Sequence, residues 1–375
     1  MKKIALIAFL VAAIGTSSMA QLRKTTFTFP DTEGYHVLKG DFHQHTIFSD
    51  GQVWPTTRVE EAYEEDLDII CLTEHIEHRP HLNELTSKDH NHSFELAKAA
   101  ALKYGILMFQ SSEITRGMPP GHLNVIDIQD ANKFERFVNL KNTRDTTLVT
   151  EALAEAKKQG GFIFWNHTAY PTINNKSTWH PIHEDLKNKG LMMGIEIVNG
   201  ERYEPTAFQW CLDYNLTIFS NSDVHSTMAQ KRSADEFKVL TLVIAKEKNK
   251  ASVMEALKAH RTIALWNNSL MGRSEHVEPL VRSSVTFRLS NINDKNGLFE
   301  MVNQAGIPFV FEFLNVTKNL SIRDDVPCSV HANSVTSLSA FVDSIPDNEI
   351  KVRVLNVFVA PGKCLETSIP VILNR

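Results

Sequence analysis

An α/β layer or barrel followed by a smaller all-β domain is the architecture this sequence predicts, and three observations point to it. Between about residues 37 and 267, short apolar runs alternate with amphipathic helical patterns, the signature of parallel strands joined by helices. The runs repeatedly end in His, Asp, Glu or Asn, and in parallel α/β folds chemistry gathers at the carboxyl ends of strands. Beyond Pro279 the helical pattern stops, and alternating, β-branched runs take over.

Along the chain, LKGDFHQHT reads as a strand and PTTRVEEAYEEDL as a helix. DIICLTEH is the next strand, followed by a His-rich loop and a helix in SFELAKAAALKYG. ILMFQSSEI and GHLNVIDIQ are strand-like, and TTLVTEALAEAKKQG is a helix beginning on a Thr cap. GFIFWNHT, MGIEIVNG and LTIFSNSDVH are further strands separated by helices, and KASVMEALKAHR is a late helix. Residues 280–375, with VRSSVTFRLSN, PFVFEFLNVT, SVTSLSAFVD and IKVRVLNVFVA, read as a β-sandwich. No fixed-period repeat or low-complexity stretch interrupts this order.

Composition sets the outer limits. At 375 residues, 42% hydrophobic and 22% charged, the chain fits one large or two ordinary domains. That excludes long disorder, collagen-like repeats and a polytopic membrane protein. A formal net charge of −5 offers no general attraction for nucleic acid or anionic membranes, so a small molecule is the expected partner. Lys2 and Lys3, the apolar run IALIAFLVAAIG and the small residues SSMA form a secretory signal peptide over residues 1–20, cleaved after Ala20. The residue after that point is Gln21, not the Cys that a lipoprotein would acylate, so a periplasmic or secreted protein that is not a lipoprotein is expected. Cys71 and Cys211 read as buried thiols, whereas Cys328 and Cys364 could equally be bridged or free.

The 16 histidines matter through their placement. In GDFHQHTIFSDG, His43 and His45 lie two apart on a strand and face the same way, so they can chelate one metal. Asp50 follows in a loop able to fold back. LTEH places His75 at the next strand end, SSEI places Glu113 at a third, and PPGHLNVI puts His122 at the start of the following run. FWNHT ends in His167, and SNSDVHS sets Asp223 and His225 two apart. Imidazoles mixed with carboxylates suit zinc, manganese or iron, and the set is large enough for two or three divalent ions. Glu196 and Asn199 end another strand and are candidates to orient ligands from behind.

These motifs, in this order over residues 37–267, resemble the PHP superfamily of metal-dependent phosphoesterases, named for polymerase and histidinol phosphatase. The resemblance implies a distorted (β/α)7 barrel, with residues 21–279 as the catalytic domain, and a multinuclear metal cup. It implies one ion on His43, His45, Glu113 and Asp223, a second on His122 and His167 bridged by Glu113, and a third on Asp50, His75 and His225.

The expected chemistry is hydrolysis of a small organic phosphate or nucleotide-derived ester by metal-acidified water attacking phosphorus in line. Arg116 is a candidate phosphate-binding arginine, equally readable as half of a salt bridge, with Arg202 and Arg232 behind it. His78 is a candidate general acid for the leaving group. Two other readings stand beside this one: hydrolysis of a C–N or other non-phosphate bond, and a binding or envelope-interaction protein whose metals are structural. The β-rich tail could dock, cover the cup or stabilise. No GxSxG elbow, P-loop or dinucleotide fingerprint occurs.

Overall fold

The computed structural model describes residues 27–170, 176–228, 238–293, 296–314, 320–322, 327–342 and 349–373. The signal segment 1–20 and Arg232 lie outside the described residues.

The run HVLKGDFHQ forms β1 (His36–Gln44), buried from Val37 onward, as a strand covered on both faces must be. Helix α1 (Pro55–Glu64) opens on Pro at its first position. After β2 (Ile69–Leu72), α2 (His92–Tyr104) closes on left-handed Gly105. Then come β3 (Leu107–Phe109), β4 (Ser111–Ile114), β5 (Leu123–Ile126), α3 (Thr146–Lys158) and β6 (Phe162–Trp165). The cap of α3 is Asp145, which accepts from the Thr147 and Leu148 amides, one residue before the Thr expected there. The barrel region continues through α4 (Pro181–Asn188), β7 (Gly194–Asn199), β8 (Arg202–Tyr203), α5 (Pro205–Asp213) and β9 (Thr217–Asn221). It ends with β10 (Val239–Ala245), α6 (Lys250–Lys258), β11 (Thr262–Trp266), β12 (Ser269–Gly272) and α7 (Ser274–Ser284).

Pairing is mixed rather than parallel throughout. Strands β1–β2–β3 and β6–β7–β9 are parallel, but β5 runs antiparallel between β4 and β6. The link from Ile114 to Leu123 is too short for the helical crossover that a parallel neighbour requires. As a result the start of β5, not its end, lies beside the ends of the other strands. Isolated bridges join Gln44 to Val224 and His75 to Glu113. They close β1, β2, β3–β4, β5, β6, β7 and β9 into a distorted barrel, with polar strand ends facing one opening.

The C-terminal domain contains β13 (Val285–Asn293), β14 (Asn296–Asn303), β15 (Phe309–Phe313), β16 (Leu320–Ile322) and β17 (Cys328–Val330), then β18 (Ser334–Val342), β19 (Glu349–Ala360) and β20 (Lys363–Leu373). One layer runs β16–β18–β14–β13–β20, and β15, β17 and β19 form the other, with β20 pairing into both. Phe287, Phe299, Phe309 and Phe311, all fully buried, fill the space between. Pro279, where the helical pattern was expected to stop, lies inside α7. That helix absorbs the loss of one backbone hydrogen bond at Pro279 by burying Val277, Leu280 and Val281. In addition, β19 pairs parallel to β12, so one sheet passes from the barrel into the second domain.

All four cysteines are free thiols. In the order β17–β15–β19–β20, Cys328 and Cys364 are separated by three strand spacings, roughly 14 Å, beyond the reach of a disulfide. Among the described residues, no helix is long and apolar enough to cross a membrane.

Candidate metal centre

His43 near the end of β1 and His45 just past it lie two apart on extended backbone that turns both to one side, and both are fully buried. The next loop folds back tightly, with the Ser49 and Gly51 amides both donating to the Thr46 carbonyl. A Cβ on Gly51 would lie 2.6 Å from the His45 carbonyl carbon, so only glycine permits the fold that returns Asp50 to the cup. His75 follows β2, Glu113 is within β4, His122 precedes the reversed β5, His167 follows β6, and Asp223 and His225 follow β9. His167 (φ 24) and Asp223 (φ 50) have left-handed backbone, a conformation that costs a non-glycine residue about 1 kcal/mol or more and clusters at functional sites.

Every ligand candidate named from the sequence is drawn into this cup. They form four overlapping groups: His45, Asp50, His75 and His225; His43, Glu113 and His167; His43, His45 and Asp223; His75, Glu113 and His122. His43 Nε2 is 3.1 Å from Glu113 Oε2 and 3.2 Å from Asp223 Oδ1. His45 Nε2 is 3.3 and 3.1 Å from the same two oxygens. Ligand atoms about 2.0–2.1 Å from a tetrahedral ion are themselves spaced about 3.3 Å apart. Glu113 Oε1 turns the other way, 2.8 Å from His122 Nδ1 and 3.6 Å from His167 Nε2. Asp50 reaches His225 Nε2 at 3.2 Å and His75 Nε2 at 3.5 Å.

Two buried atoms test the fit. His45 Nε2 and Asp50 Oδ1 are shielded from solvent yet make no hydrogen bond of acceptable geometry. Leaving buried polar atoms unsatisfied costs about 1–3 kcal/mol each, a cost that cations bound beside them would remove. Charge agrees. Burial alone would raise the Glu113 and Asp223 carboxyls, but the neighbouring imidazoles, His75 and His43 for Glu113 and His43 and His45 for Asp223, hold both well below the carboxylate range. Burial would likewise lower His45, yet the adjacent Asp223 and Glu113 carboxylates raise it to about 9, whereas burial takes His122 down to about 4. Carboxylates so placed need compensating charge, and divalent ions supply it by displacing the imidazole protons. The residues fit a divalent-metal centre.

Behind the ligands, Glu196 accepts from His43 Nδ1 (3.1 Å), the His167 amide (2.9 Å) and Asn221 Nδ2 (2.9 Å). Asn199 Nδ2 bridges Glu196 and Asp223 at 2.9 and 3.1 Å. Several supporting residues escaped sequence reasoning. Thr115 Oγ1 holds His75 Nδ1 at 2.6 Å, and Asn166 Nδ2 donates to Glu113 Oε1 at 3.1 Å. Buried Arg58 donates to the His45, Val224 and Ser226 carbonyls, tying two ligand loops together. Asn166 had a signal in its place beside His167; Arg58 had none in a helix rich in charge.

The expectation for Arg116 is corrected. Its guanidinium pairs with buried Glu77 and donates to the Phe137 carbonyl at 2.9 Å, and it does not line the cup. The lining arginine among the described residues is Arg202, accompanied by His78, Thr115, Tyr170 and Glu204 around a cavity of about 520 Å³. Arg202 Nε donates to Glu204. His78 stands at the mouth, its side chain 60% exposed, 3.9 Å from Asp50 Oδ2.

A buried imidazole–carboxylate cup at the mouth of a distorted α/β barrel defines a metal-dependent hydrolase. The comparison with solved structures carries this further. A two-domain protein of Bacteroides vulgatus, containing a predicted PHP-like metal-dependent phosphoesterase, aligns at TM-score 0.83 and 36% identity, over 93% of this chain and 99% of that one. The chain belongs to these PHP-like metal-dependent phosphoesterases. A candidate metal-dependent phosphoesterase of Bifidobacterium adolescentis (16% identity, TM-score 0.38, 50% of this chain and 88% of that one) is a far looser likeness. So is an amidohydrolase of Chromobacterium violaceum with bound sulfate (16% identity, TM-score 0.37, 51% and 88%). No protein-family model and no curated protein matches the sequence.

Proposed function

We propose that this protein is an exported phosphoesterase that hydrolyses a small organic phosphate or nucleotide-derived ester with two or three divalent ions, zinc, manganese or iron. The observation that carries the reading is the convergence of His43, His45, Glu113 and Asp223 at ligand–ligand spacing around buried atoms that lack hydrogen bonds. Those four residues would hold one ion, Glu113 with His122 and His167 a second, and Asp50 with His75 and His225, beside His45, a third. Divalent ions supply Lewis acidity and lower the pKa of water bound to them.

The chain's own side chains do the rest. Glu196 and Asn199 lock ligand orientation. Arg202, on the cup wall, binds phosphoryl oxygens in the role first expected of Arg116. His78, exposed at the mouth, is placed to protonate a leaving oxygen that points outward. Export follows from residues 1–20, and scavenging phosphate from external compounds suits a protein outside the cytoplasm.

Hydrolysis of a non-phosphate C–N bond is favoured by one observation. The cup-lining arginine shares its charge with Glu204, while phosphate chemistry gains from cationic support. The deciding experiment takes protein lacking residues 1–20, reconstituted with manganese, iron or zinc, and assays chromogenic phosphate mono- and diesters against a chelated control. Metal-dependent turnover is expected. Silence with every metal and both ester classes, alongside turnover of amide substrates, would replace the phosphate reading with the C–N one.

A further inference from the structure

One short hairpin joins the cup wall to the C-terminal domain. Strands β7 and β8 pair as Asn199↔Arg202 and Val198↔Tyr203, around Gly200 at φ 55. Cross-strand partners share a face. Asn199 and Arg202 therefore front the cup, which both line, while Val198 and Tyr203 back onto the apolar core of the barrel. A strand of two residues has little stability of its own, so its position depends on what packs behind it.

Behind it lies Trp266, whose ring is 5.8 Å from that of Tyr203. Trp266 leads into the Asn267–Asn268 turn, both residues left-handed, and this turn is gripped by the other domain. Asn356 on β19 donates from Nδ2 to the Asn268 carbonyl at 2.7 Å and the Pro308 carbonyl at 2.8 Å. Its Oδ1 accepts from the Val310 amide at 3.1 Å. Two residues along β19, Phe358 aligns with Met271 of β12 and packs into the same apolar cluster as Tyr203 and Trp266. A side chain that bonds the 308–310 segment of its own domain and the Asn268 turn of the barrel is a clamp between them.

We propose that the C-terminal domain is part of the active-site scaffold: Asn356 and Phe358 are positioning residues that hold Trp266, hence Tyr203, hence the hairpin presenting Arg202 to substrate. The functional half of this rests on the reading of Arg202 as an anion contact. The structural half does not.

The test uses the full-length mature protein, metal-loaded, as wild type and as Asn356→Ala, Phe358→Ala, Tyr203→Phe, Tyr203→Ala and Arg202→Ala. Amide hydrogen exchange is followed in peptides covering residues 198–204, together with KM, kcat and metal content. Asn356→Ala and Phe358→Ala are expected to speed exchange in the hairpin and raise KM for a phosphate monoester by about three- to tenfold, with kcat and metal content within about twofold. Tyr203→Phe keeps the ring and should behave as wild type, whereas Tyr203→Ala should resemble Asn356→Ala. Added to Arg202→Ala, Asn356→Ala should raise KM no further. Unchanged hairpin exchange in Asn356→Ala overturns the clamp whatever the activity. Faster exchange with a KM that Arg202→Ala itself leaves untouched keeps the clamp and removes Arg202 from substrate binding.

Discussion

The barrel cup and the C-terminal sandwich bury opposite kinds of side chain. At the centre of the cup, His43, His45 and Glu113 are fully enclosed, and the carboxylates of Asp50, Glu113, Glu196 and Asp223 lie within a few ångströms of the imidazoles. The sandwich encloses phenylalanines, with ring centroids of Phe287 5.1 Å from Phe299 and 5.6 Å from Phe311. Its charged pairs stay outside, as Arg353 does with Glu312 and Glu366 at 39–46% side-chain exposure. Burying polar groups without full satisfaction costs free energy, and burying rings supplies it. The comparison therefore separates a region built for binding ions from one built for stability.

The largest expected effect breaks the cup alone. Glu113→Gln removes the carboxylate common to two ligand groups. It should lower kcat/KM by more than about 10²-fold, the upper loss seen for partners one layer further from a metal. The rise in Tm that wild type shows on metal addition, and loses to a chelator, should disappear in this variant. A Glu113→Gln protein that still turns over and still gains Tm from metal would place the centre elsewhere.

Next, Phe299→Ala strikes the sandwich alone, with an expected loss of about 3–5 kcal/mol in denaturant unfolding. Its folded fraction at low temperature should keep a kcat within about twofold of wild type, because no electrostatic contact of the cup is touched.

A histidine buried outside the cup sharpens the contrast. His183 is fully enclosed, stacks 3.9 Å from Trp165 and contacts the Pro120 carbonyl at 2.8 Å. Burial lowers its pKa to about 4, so the folded state keeps it neutral where the unfolded chain takes up a proton. Stability should then fall as pH drops from about 6.5 to about 4, by up to roughly 3 kcal/mol from this group. His183→Gln should flatten the metal-free stability curve over that window, and identical curves would reject the assignment. Smallest of all, Arg353→Ala removes exposed pairs and should leave urea unfolding unchanged within error.

Much of the centre was legible in the sequence because its ligands are attached to strand ends, where period-two alternation and a following turn decide direction. His43 and His45 are related by that alternation, and Asp50 by the turn at Gly51. Arg116 shows the limit. It follows a ligand strand as a phosphate-binding arginine would, but its destiny was set by Glu77, which is remote in sequence and meets it only through the bridge between His75 and Glu113. The reversed β5 was likewise invisible in the apolar pattern of GHLNVI, which reads the same in either direction. Only the length of the preceding link hinted at it. The helix running through Pro279 was hidden because a proline in the chain does not announce whether the surrounding residues can bury enough to keep it.

What the sequence determined by itself was local: the alternation of strands and helices, the all-β tail, and the kinds of side chain at each strand end. These follow from periodicity and turn chemistry, which act over a few residues. What only the tertiary structure decided was non-local: the grouping of ligands about common points, the exchange of Arg116 for Arg202 on the cup wall, and the grip of Asn356 on the Asn268 turn. Those depend on which distant surfaces close against one another, and close packing settles that for the whole chain at once.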